Sequence, residues 1–144
     1  MGRLGWWSRL INDAALMEAS LLAAAETGAD IRAPLFDKFF TAFPDRRASF
    51  YNLEASTPRM TNETLEMMLG LAKGEQWVWY QIAALEFTHR NYGDLPQVEY
   101  DSFVDLAVDT LAEAAQQDWT AEMDAAWRRQ AERLKIMIKE ALYS

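Results

Sequence analysis

A chain of 144 residues is long enough for one ordinary domain, which buries roughly 70% of the surface its unfolded chain exposes. Hydrophobic residues make up 51% of it, and six Trp, seven Phe and five Tyr are a heavy aromatic load, which excludes a disordered chain. The lack of cysteine excludes disulfides, thiolate zinc sites and Cys nucleophiles, and a net charge of −8 argues against a nucleic-acid partner.

No apolar run approaches the roughly 20 residues a bilayer span needs, so no membrane partner is expected. The stretch LMEASLLAAA is interrupted by Glu18 and flanked by Asp13 and Glu26, which does not suit a signal core. The chain therefore reads as a soluble, cytoplasmic protein. Residues 1–10, with Trp6 and Trp7 beside Arg3 and Arg9, read as a short N-terminal extension. It is expected as a lead-in turn packed on the first helix, in preference to an interfacial anchor.

Residues from about 11 to 27 are rich in Ala and Leu and predict a helix ended by Gly28. A second helix is expected from about 30, with Asp30 as N-cap, to about 43, and its apolar face is Ile31, Leu35, Phe36, Phe39, Phe40 and Phe43. Pro44 turns the chain into DRRASF, a short helical piece, and LEAS reads as a loop. Thr57 and Pro58 read as cap and first-turn proline of a helix carrying Met60, Thr64, Met67, Met68 and Leu71 and ended by Gly74.

A helix from about 75 to 91 carries Trp79, Ile82, Leu85 and His89, and NYGD with Gly93 stops it. Pro96 opens the next helix, lined by Tyr100, Phe103, Val104, Ala107, Val108 and Leu111. Thr120 is the expected N-cap of a last helix with Met123, Trp127, Ala131, Leu134, Ile138 and Leu142 on one face. No run alternates as a strand does, so the fold class is all-α, within a single domain over 1–144.

His89 is the only histidine. One histidine cannot build a multi-histidine metal site. It is either a core residue satisfied by a carbonyl or a single ligand to a cofactor metal, with its other nitrogen held by Thr88 or the Leu85 carbonyl. Its own helix leaves both readings open.

The wider pattern resembles the globin family. FFTAFPDRRASF is followed by LEFTHRNYGDLPQVEYDSFVDLAVDTLAEA and MDAAWRRQAERLKIMIKEAL, in family order, over roughly residues 12 to 143. Pro44 matches the proline that opens the short third helix of globins, and Phe50, six residues on, the phenylalanine that stacks on haem. His89 matches the proximal histidine, and HRNYGDLPQVEY resembles the passage that follows it in bacterial and neuronal-type globins. The resemblance implies a globin-like three-over-three helical sandwich of bacterial single-domain type, with haem b in a pocket between distal and proximal helices.

Carried over, His89 would ligate the iron, Thr88 would bond the ring nitrogen, and Leu85 would pack under the porphyrin. Leu95 would touch the haem edge, Tyr100 or Phe103 would line the inner pocket, Phe50 would stack on the porphyrin, and Phe36 would sit above the iron. The distal position falls on Glu63, with Met67 one turn on, where globins commonly place His or Gln. Phe36 stands where oxygen-using bacterial globins often have Tyr. An ionised Glu63 accepts hydrogen bonds and donates none, so the distal side is poor in donors and rapid autoxidation is expected. Arg46 and Arg47 of the DRR run could meet the haem carboxylates or lie in a solvated turn. RRQAERLKIMIKE reads as a solvated helix face.

The function this implies is reversible binding of a diatomic gas (oxygen, nitric oxide or carbon monoxide). The alternatives are a haem enzyme such as a nitric oxide dioxygenase, which would need a separate reductase, and a haem-free globin-like interaction or sensing module. The sequence leaves the oligomeric state open, a homodimer included.

Overall fold

Helix α6 (Ala121–Tyr143) and helix α5 (Gln97–Ala115) pack against each other, and their apolar faces set the core. On α6 Trp127, Ala131, Leu134 and Ile138 recur at four- and three-residue steps and are all but fully buried. On α5 Phe103, Val104, Ala107, Val108 and Leu111 do the same. The computed structural model describes residues 6–89 and 95–143, with side chains for 12–85, 89 and 95–142. The described residues contain helix and no strand, in keeping with the all-α expectation.

Helix α1 (Trp6–Thr27) lies against α5, α6 and helix α3 (Leu53–Ala72). Helix α2 (Arg32–Ala42) packs on α5 and α3 through Leu35, Phe36, Phe39 and Phe40, all buried. A 3-10 turn (Pro44–Ser49) follows α2, helix α4 (Trp77–His89) packs on α6 and α3, and a second 3-10 turn (Gln116–Asp118) precedes α6. Among the described residues no helix is long and apolar enough to cross a membrane.

Several boundaries differ from the sequence reading. The backbone is already helical at Trp6, so the expected lead-in turn is part of α1; the side chains of Arg3, Trp6, Trp7 and Arg9 lie outside the described residues. LEAS is the first turn of α3, not a loop, because Asn52 caps it: its Oδ1 accepts the Ala55 N–H at 3.2 Å. Pro58 consequently sits inside the helix, one turn later than expected. Asp30 does serve the start of α2, accepting from the N–H groups of Arg32 at 3.1 Å and Ala33 at 3.4 Å. Thr120 caps α6 by accepting the Met123 N–H at 3.1 Å. Gly74, at φ +70°, takes the left-handed turn that ends α3. NYGD at 91–94 lies outside the described residues.

The RRQAERLK face is not simply solvated. Arg129 donates two bonds to buried Asp13 of α1 at 2.9 and 2.6 Å, and Gln130, fully buried, donates a third at 3.1 Å. Arg133 donates to the Leu71 carbonyl of α3 at 3.1 Å, and Lys135 to Asp105 of α5 at 3.0 Å. These charged side chains fasten α6 to its neighbours, an arrangement that composition along one helix does not reveal.

Candidate functional site

Helix α4 is apolar on nearly every side, yet its described inward-facing side chains fall on one stripe. Val78 and Ile82 are fully buried and Leu85 is half-buried, so the inner stripe runs Val78, Ile82, Leu85, His89 at steps of four, three and four. Trp79 is 54% exposed. The sequence reading placed it on this stripe, but two three-residue steps fall short of whole turns and rotate it toward solvent.

His89, the last residue of α4, lies on a cavity of about 440 Å³. Helix α3 contributes Met60, Glu63, Thr64 and Met67, which share one helical face, and α5 contributes Glu99, Tyr100, Phe103 and Val104. Phe50 and Arg46 come from the first 3-10 turn and the residue after it, and Leu95 precedes α5. Leu134 and Ile138 of α6 also reach the cavity. Its size lies within the range of roughly 300–1,000 Å³ usual for small-molecule pockets.

The imidazole is held on two sides. Its Nδ1 lies 2.9 Å from the Leu85 carbonyl oxygen, and the Tyr100 ring stands edge-on to it with centroids 5.7 Å apart. A carbonyl only accepts, so Nδ1 carries the proton and the neutral ring has its lone pair on Nε2. Burial pushes the His89 pKa below its usual value; the Leu85 carbonyl pulls it up, Arg59 lowers it and Glu63 raises it. The group is therefore neutral at pH 7, the form that ligates metals. Of the two acceptors expected for the ring, the structure shows the Leu85 carbonyl; the Thr88 side chain lies outside the described residues.

The fold brings Phe50, Glu63, Met67, Leu85, His89, Leu95, Tyr100 and Phe103 to this one cavity. Phe36 is not on its surface. It is buried behind the wall, with its ring 5.6 Å from Phe50 and 5.4 Å from Phe103, both edge-on. Among the described residues no three His, Cys, Asp or Glu side chains gather as a protein-only metal cage needs.

Charge at the cavity follows pairs that sequence reading missed. Arg46 donates to both carboxylate oxygens of buried Glu99, at 2.6 and 2.9 Å. That bond heads the causes that raise the Arg46 pKa. Arg47 lies over the Phe40 ring, 5.1 Å from its centroid. Arg59 also lines the cavity, and the available signal was its place four residues before Glu63, on the same helical face. No family model matches the chain, and no curated protein or solved structure matches it.

Proposed function

We propose that the cavity is a haem pocket, that His89 is its iron ligand, and that the chain is a globin-like protein binding a diatomic gas reversibly. The helices would then be arranged as a three-over-three sandwich around haem b. The observation that carries the reading is the His89 imidazole at the wall of a cavity with aromatic and apolar walls, its Nδ1 held by the Leu85 carbonyl so that Nε2 is left to bear the lone pair.

The residues present suit the group. A porphyrin is a large apolar ligand that brings most of its metal's ligands with it, so one imidazole would suffice on the protein side. Phe50, Leu85, Leu95, Tyr100 and Phe103 supply apolar and aromatic wall, and the Leu85 carbonyl fixes the ring's tautomer. When bound, haem would supply an iron centre able to take a diatomic ligand. The chain's own part would be to hold that centre and to exclude water from it with Met67 and Phe103. Thr64, one of the hydroxyls at the cavity, spends its proton on the Met60 carbonyl at 2.7 Å.

Titration of the purified chain with haemin, followed in the visible spectrum, tests the reading. A sharp Soret band saturating at one haem per chain, and lost or strongly shifted in His89→Ala, is the expected result. Ferrous spectra under oxygen, carbon monoxide and nitric oxide then identify the gases bound. No specific uptake would remove haem and leave the cavity to another apolar ligand.

A further inference from the structure

Among the described residues two arginines line the cavity, and they are not equivalent. Arg46 is engaged by Glu99 through both carboxylate oxygens. Turning it toward a ligand would leave a buried carboxylate without its partner. Arg59, on the second turn of α3, is exposed at the cavity and makes no ion pair or hydrogen bond among the described residues. Glu63, one turn along the same face, makes none either, although charges spaced in this way on a helix commonly pair.

We infer that Arg59 is the anion anchor of this site: its ligand has an apolar body seated in the cavity and a carboxylate held by the Arg59 guanidinium. The inference rests on the ligand-pocket reading given above and adds to it the polar half of the ligand. A chain of net charge −8, with Glu63 and Glu99 at the cavity, repels anions in general, so a carboxylate ligand needs a local cation. Arg59 supplies it, with a planar fork that matches a carboxylate through two parallel N–H···O bonds. Its exposure puts that end of the ligand at the solvent edge, where a charged group keeps part of its hydration. The apolar face formed by Met60, Met67 and Phe103 takes the rest.

Competition between charged and neutral forms of one probe tests this. The full chain is titrated with haemin and with haemin dimethyl ester, in which methylation of the two carboxyl groups removes their charge. The wild type is expected to bind haemin roughly threefold to tenfold more tightly than the ester. Arg59→Gln removes that preference, and Arg59→Lys keeps only part of it, because an ammonium lacks the fork. Arg47→Gln keeps the wild-type preference, and circular dichroism melting shows that the Arg59 variants are folded. An unchanged preference in Arg59→Gln, or a wild type that binds acid and ester equally, overturns the anchor while leaving haem binding intact. If haemin does not bind at all, the same comparison is made with palmitate and hexadecanol. Palmitate binding that depends on Arg59 upholds the anchor without haem, and failure of both anions overturns the anchor as well.

Discussion

The guanidinium of Arg46 and the carboxylate of Glu99 face each other across the cavity rim, joined by bonds of 2.6 and 2.9 Å. They tie the first 3-10 turn to the first turn of α5. The Glu99 side chain is only 9% exposed and that of Arg46 27%, so the two partners are not interchangeable. Arg46→Ala strands a buried charge and is expected to cost about 2–4 kcal/mol in urea unfolding. Glu99→Gln leaves a guanidinium that still reaches water and is expected to cost about 1–2 kcal/mol. Equal effects, or a neutral Arg46→Ala, would contradict this account of the pair.

Gly70 of α3 lets α4 approach closely. A Cβ at this position would stand 2.7 Å from Val78 Cγ2 and 2.9 Å from Trp77 Cζ2. Val78 is fully buried and stiff at χ1, so it cannot swing aside. Gly70→Ala is therefore expected to destabilise the chain by about 1–2 kcal/mol, the overpacking outweighing the better helix propensity of alanine. Haemin affinity should fall with it, since α4 carries His89. Thermal unfolding and Soret titration measure the two effects, and a stabilised variant would show that α4 yields without strain.

Trp127 is wholly buried, and its Nε1 donates to the Ser20 hydroxyl at 2.7 Å, joining α6 to α1. Ser20→Ala orphans that N–H and is expected to cost about 1–2 kcal/mol. In a Trp127→Phe background the same change should cost less, because the donor is already gone. A double-mutant cycle by denaturant unfolding reads this, and strict additivity would count against the bond.

Asp30 gives the pH dependence its sign. Its carboxyl is held below the ordinary value of 3.8, chiefly by the Arg32 backbone N–H. The unfolded chain therefore takes up the proton first as pH falls. The contribution of Asp30 is complete above about pH 3.8 and is lost as pH drops through the lower folded value. Asp30→Asn should narrow the difference from wild type as pH falls from 5 to about 3. The group is exposed, so the whole effect is expected below about 1 kcal/mol. A difference constant over that range would remove the linkage.

What the sequence made legible follows from the range over which each interaction acts. Apolar periodicity is local, and the inner faces of α2, α5 and α6 could be read from it residue by residue. The stripe on α4 went astray at Trp79, because a helix apolar all round gives no phase, and three-residue steps then look as good as alternating ones. Capping was misread where two signals competed: Thr57 with Pro58 was the louder, and Asn52 made the bond. Pairs such as Arg46–Glu99 and Asp13–Arg129 join residues 53 and 116 positions apart, and nothing local to either partner announces the other. The set of residues around His89 was assembled from a family pattern. The structure gathers all of them that it describes, apart from Phe36, at a single cavity.

The tight contact at Gly70 also has a mechanical side. Val78 bears on it near the start of α4, and His89 stands on the same helix 11 residues on, or about 16 Å at 1.5 Å per residue. The helix is thus a lever with a fulcrum against α3 and the imidazole on its long arm. Each degree of tilt about the fulcrum carries the tip roughly 0.3 Å. Force applied at the imidazole is in turn delivered to the close contact of Trp77 and Val78 with Gly70.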